Sequence, residues 1–128
     1  MKEKEVKRDV TERVKTFEDA QAETGRPGVP EFSDVPEDMR PYFKAQYKIV
    51  VIAQALNEGW KPDWTNGNQK KWVPWFGLSS SGFAFGVTVF NCSNAAAGNS
   101  SRLCFKTEAL ANYAGRQFVE IWDELLQK

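Results

Sequence analysis

The sequence predicts an α+β fold: N-terminal helices, a small antiparallel sheet of about three strands, and a C-terminal helix packed on that sheet. Three observations carry this expectation. Apolar residues recur at helical spacing over residues 42 to 57 and again from Leu110 to Leu125. Between them, Phe83, Phe85, Val87 and Val89 alternate with Ala84, Gly86, Thr88 and Phe90, the period of two of a strand buried on one side. The length of 128 residues suits one core and excludes a large multidomain enzyme.

The elements follow in chain order. Val6, Val10 and Val14 are four apart in a charged opening segment, so residues 1 to 15 read as a charged arm or short amphipathic helix, with residues 16 to 128 as the single domain. Thr16 and Asp19 have the spacing of a capping box, which starts a helical turn at Phe17 that Gly25 stops. Arg26-Pro27-Gly28-Val29-Pro30 is an extended linker, and Pro41 suits the first turn of a new helix. In that helix Phe43, Tyr47, Val50, Val51 and Gln54 share one face, and Ile49, Ile52, Ala53 and Leu56 extend the apolar surface most of the way round, so it should lie at the centre of the domain. Gly59 is its expected left-handed stop.

Residues 59 to 68 read as a loop that Trp60 and Trp64 fix to the domain. A strand over Lys71 to Phe76 contains Pro74, which cannot donate to a ladder, so this strand should be an edge or carry a bulge. Gly77 to Gly82 is the turn, Phe83 to Phe90 the second strand and Arg102 to Lys106 the third, completing a meander. Thr107 then caps one final helix, whose stripe of Leu110, Ala114, Phe118, Ile121, Trp122 and Leu125 should lie across the sheet.

Composition excludes several functions. Seventeen basic residues balance seventeen acidic ones, which removes a simple histone-like electrostatic binder. The absence of histidine removes the usual general base near neutral pH and the commonest transition-metal ligand. Cys92 and Cys104 are too few for a disulfide scaffold or a structural zinc. No apolar run resembles a secretory signal or a membrane helix, so the chain reads as soluble, cytoplasmic and without a membrane partner. Glu58 and Asp63 flank a tryptophan-rich loop as a sugar-cleaving pair would, but the plainer reading is that Glu58 ends a helix and Asp63 organises a turn. Cys104 has no histidine to activate it, and neither glycine-rich segment is followed by the Lys-Ser/Thr of a phosphate loop. No catalytic, metal or cofactor residues are expected.

Charge and aromatic residues are unevenly spread. Residues 1 to 40 carry eight basic and eleven acidic side chains, whereas residues 41 to 80 carry five and two. Eight of the seventeen aromatics lie between Trp60 and Phe90, overlapping the basic centre. Trp60, Lys61, Trp64, Lys70, Lys71, Trp72 and Trp75 interleave there, and Arg102 and Lys106 could join them, as base-stacking aromatics and cations do in single-strand binders. A domain of this size also needs its large aromatics for a core. An aromatic surface beside an edge strand equally suits a protein partner or a second copy of the chain.

The runs Glu12 to Ala20, Ala55 to Trp64, Pro74-Trp75-Phe76 and Ser101 to Glu108, with Tyr113-Ala114-Gly115, resemble a group of small uncharacterised proteins from phages, prophages and other mobile elements of Bacteroidetes bacteria. The resemblance runs in the same order from about residue 11 to the end. It implies a setting and no activity or site residues. The expectation is therefore a non-enzymatic accessory protein of a phage or integrated element that works by protein association, with single-stranded nucleic-acid binding through residues 60 to 75 as the alternative.

Overall fold

In the computed structural model, residues 8–92 and 100–127 are described. Two short helices open the chain, α1 (Val10–Arg13) and α2 (Phe17–Thr24). Asp9 caps the first by accepting from the Thr11 N–H; Thr16 and Asp19 close a reciprocal capping box on the second, and Gly25 ends it in the left-handed conformation. From Val10 onward the expected arm is part of the folded body. Val10 and Val14 are buried, the Tyr113 hydroxyl donates to the Val14 carbonyl at 2.6 Å, and the Gln117 amide donates to the Lys15 carbonyl at 2.9 Å. Val6 lies outside the described residues.

A 3-10 turn (Glu37–Met39) leads into α3 (Arg40–Asn57), with Pro41 in its first turn. This helix is central: it packs against α1, α2 and both helices that end the chain. Ala45, Ile49, Ile52, Ala53 and Leu56 are its buried line, while Phe43, Tyr47, Val50 and Gln54 of the expected face are only half-buried. The left-handed stop begins one residue earlier than expected, at Glu58 (φ 50°), and continues through Gly59 (φ 86°). Such a conformation costs a non-glycine residue roughly 1 kcal/mol. Glu58 is held in it by ion pairs with Arg13 at 3.2 Å and Lys106 at 4.0 Å.

The sheet of the described residues is one antiparallel hairpin, β1 (Lys71–Ser79) and β2 (Gly82–Asn91). Its turn is tighter than expected: only Ser80 and Ser81 separate the strands, and Gly82 has φ 113°. Pro74 sits in β1 as an edge strand, as expected, whereas the register shift between Trp75 and Phe76 leaves Gly86 of β2 unpaired, so the bulge belongs to the partner strand and not to the strand of the proline.

The third strand does not form. Residues 102 to 106 meet β1 at a single bridge, Trp72 with Phe105, made by two backbone hydrogen bonds of 3.0 and 2.8 Å. The next outward position on β1 is Pro74, which has no N–H to extend the ladder. Neighbouring backbone groups go to the buried Asn57 instead, whose amide donates to the Cys104 carbonyl at 2.9 Å and accepts from the Lys106 N–H at 3.0 Å.

The C-terminal helix is two helices. Thr107 caps α4 (Glu108–Gln117) as expected, Phe118 leaves helical geometry at φ −113° and ψ 28°, and α5 (Val119–Gln127) follows. It is α4 that lies on the hairpin; α5 packs mainly on α3 and reaches the hairpin through Trp122, whose ring is 5.5 Å from that of Phe76.

Candidate functional site

Residues paired across the hairpin share a face, so the register sorts its side chains. Pro74, Phe76, Phe85 and Thr88 face α4 and α5: Phe85 and Pro74 abut Gly115, Phe76 meets Trp122, and Thr88 bonds Asn112 at 2.6 Å. The opposite face carries the pairs Lys71 with Asn91, Val73 with Val89, and Trp75 with Val87. Trp75 and Val87 remain 59% and 56% exposed, too open for core residues. At the two ends of the helix-facing side, Leu78 (70%) and Phe90 (46%) project beyond the cover of α4. Apart from the Trp72–Phe105 bridge, neither outer edge of the hairpin has a ladder partner among the described residues.

The nine candidate residues of the sequence do not form one surface. Lys71 is fully buried, its ammonium donating to the carbonyls of Asn66 at 3.0 Å and Cys92 at 2.6 Å, so it is a fastening and not an exposed cation. Trp64 covers it, with Lys71 Nζ 5.0 Å from the ring centroid, and donates its indole N–H to Ser101 Oγ at 2.6 Å. This tryptophan anchors its loop as expected. Lys70 and Trp72 form a second group with Phe90: the rings are 5.0 Å apart and the Lys70 ammonium lies 5.6 and 4.7 Å from them. Lys106 is half-buried and turned towards Glu58. Trp75 lies apart from the other eight, beside Val87 on the hairpin.

Trp60, Lys61 and Arg102 are brought together. They line a cleft of about 350 Å³ between the C-terminal half of α3, the loop after it and the turn at Ser101-Arg102. Val50, Ala53 and Pro62 give it apolar walls, and Arg26 enters from the linker after α2, its Nε donating to Gln54 Oε1 at 3.0 Å. Its lining holds three cations and no carboxylate. Two other depressions are charge-balanced: one sets Arg40, Lys44 and Lys48 against Glu37, Glu120 and Glu124, the other Lys44 and Lys48 against Glu18 and Glu31.

The reactive groups are occupied structurally. Asp63 Oδ1 accepts from the Thr65 hydroxyl at 2.6 Å and the Thr65 N–H at 2.9 Å, which holds its carboxyl below the usual range and makes it a turn residue. Glu58 is engaged by Arg13 and Lys106. Burial pushes the Cys104 thiol up to about 11, with smaller opposing contributions from the backbone and Lys71. Among the described residues no group of three His, Cys, Asp or Glu side chains could hold a metal ion, and no helix is long and apolar enough to cross a membrane.

Sequence reasoning missed Arg26 in the cleft and Leu78, Val87 and Phe90 as surface residues. Arg26 has no local signal, because 28 residues separate it from Gln54. The hairpin does have one: the thirty residues between Lys71 and Arg102 contain no Lys, Arg, Asp or Glu. No protein-family model, curated protein or solved structure matches the chain.

Proposed function

We propose that this protein is a non-enzymatic accessory factor that acts by protein association, with the β1–β2 hairpin as its contact surface and a second copy of the chain as its partner. One observation carries the reading: Trp75 and Val87 stand exposed opposite one another on a hairpin whose one charged residue, Lys71, is buried. Solvent-facing edges are ordinarily guarded by charge, above all lysine, because an open edge templates pairing. A contiguous apolar patch on an open edge is the mark of a contact surface, and tryptophan is the side chain most often dominant there. An uncharged patch also has nothing to repel its own copy across a two-fold axis. The setting we infer, from the resemblance described above, is a phage or integrated element acting in the cytoplasm of its bacterial host.

Sedimentation over a rising concentration series tests the proposal. The wild-type chain should pass from monomer to dimer, and Trp75→Glu or Val87→Glu should hold it monomeric with little change in melting temperature, since both side chains are already exposed. A wild-type chain that stays monomeric to its solubility limit would overturn self-association.

A further inference from the structure

The Trp60 cleft is separate from the hairpin face and has different chemistry. Arg26, Lys61 and Arg102 come from three distant stretches of chain, and among the described residues none of them makes an ion pair. Arg13 and Lys106, by contrast, are matched by Glu23 and Glu58. Glu58 sits in sequence between the lining residues Asn57 and Gly59, yet its left-handed backbone carries its carboxylate to Arg13 and Lys106 and leaves the cleft without an acid. In a chain with no net charge, three uncompensated cations converging on one concave site repel each other unless an anion joins them.

The remaining lining narrows the ligand. Trp60 is half-buried and lines the cleft beside Val50, Ala53 and Pro62, while the Gln54 amide accepts from Arg26 through its oxygen and has no acceptor for its N–H groups among the described residues. An aromatic plane, small apolar walls and cations at the rim are the parts that hold a nucleotide: the base stacks and the phosphate meets the guanidinium and ammonium groups. A volume near 350 Å³ lies at the small end of ligand sites and suits one nucleotide unit at a time. We infer that this cleft binds a nucleotide, with its base on Trp60 and its phosphate between Lys61, Arg102 and Arg26. The same chemistry is offered by a free mononucleotide and by one residue of a single strand.

Calorimetric titration of the whole chain with adenosine 5′-monophosphate, a short single-stranded oligonucleotide and inorganic phosphate separates the sources. Binding of the oligonucleotide well beyond the mononucleotide assigns the site to a strand; equal binding assigns it to free nucleotide. In either case the double variant Lys61→Glu, Arg102→Glu, at two exposed positions, should weaken binding at least tenfold. Trp60→Phe should keep most of the affinity and Trp60→Leu should lose it, a contrast that loss of apolar packing alone would not produce. For a strand, one phosphate held in the cleft predicts an affinity that falls roughly threefold between about 50 and about 200 mM salt. No heat with either nucleotide ligand, binding indifferent to the double variant, or inorganic phosphate binding as tightly as nucleotide would overturn the inference. Val87→Glu should leave it untouched, so failure here and failure of hairpin association are distinguishable.

Discussion

Burial decides the chemistry of Cys104. Its side chain is enclosed in the core with Sγ 3.9 Å from the Ser101 carbonyl, and a thiolate there would lose its hydration. The folded state therefore favours the protonated thiol, raised from an ordinary value of 9.0 to about 11. A group raised in this way contributes stability fully below its unfolded pKa and loses it as pH rises through the folded one. Unfolding by urea should accordingly show stability falling from about pH 9 towards about pH 11. Tyr113, raised by burial and then by the charge of Asp19, adds to the same trend. In Cys104→Ala the slope over that window should be shallower; an unchanged slope would show that the thiol is not protected. That Cys104 has no histidine to activate it was legible in the sequence. The burial of Lys71 was not, because its partners are main-chain carbonyls of Asn66 and Cys92, and no side-chain pattern announces them.

Among the elements, those set by local chemistry were legible and those set by distant contacts were not. The capping box and the Pro41 start rest on residues a few positions apart, as does the first half of β2; beyond Gly86 the register shift puts Thr88 on the helix-facing side with Phe85 and Val87 on the other, so the expected buried line of Phe83, Phe85, Val87 and Val89 breaks there. The break at Phe118 does not, since Leu110, Ala114, Phe118, Trp122 and Leu125 keep helical spacing straight through it. The missing third strand is similar: Pro74 was read as an edge marker, and its further effect, ending the ladder on that edge, depends on Phe105 arriving opposite Trp72. The candidate site divides along the same line, with Trp60 and Lys61 adjacent in sequence and Arg26 and Arg102 recruited by the fold. Gly115 tests the contact of α4 with the hairpin. Helix propensity alone predicts that Gly115→Ala stabilises by up to about 1 kcal/mol. Yet a Cβ there would overlap the Phe85 ring, lying 2.8 Å from Cε1, and stand 2.9 Å from the Pro74 Cβ, with the stiff proline ring on one side and a packed aromatic ring on the other. Overpacking should win, and urea denaturation should show a net loss of ~1–3 kcal/mol. A stabilised variant would mean that the hairpin does not rest on α4.

At the scale of the whole molecule, one side chain joins the parts that the sequence presents separately. The hairpin is a two-stranded ribbon with exposed apolar ends, too small to be stable alone. It is held by α4 beneath it and by Trp122, which belongs to α5, packs on Phe76 of β1 and donates its indole N–H to the Ala114 carbonyl of α4 at 3.2 Å. Since α5 rests chiefly on α3, this ring connects the helical half of the protein to the half that carries the contact surface. Trp122→Ala should therefore cost about 3–5 kcal/mol, lowering the melting temperature by roughly 10–20 °C for a chain of this length. Trp122→Phe keeps the ring contact and gives up the hydrogen bond, so it should cost only ~1 kcal/mol plus the smaller ring's lost packing. Circular dichroism should follow helix and hairpin together in the wild type as one transition. The same coupling predicts that Trp122→Ala weakens association through the hairpin, although Trp122 is buried and touches no partner, because a loosened ribbon no longer presents Trp75 and Val87 in a fixed register. A Trp122→Ala chain that melts within a few degrees of the wild type would sever that link and leave the hairpin independent of the helical core.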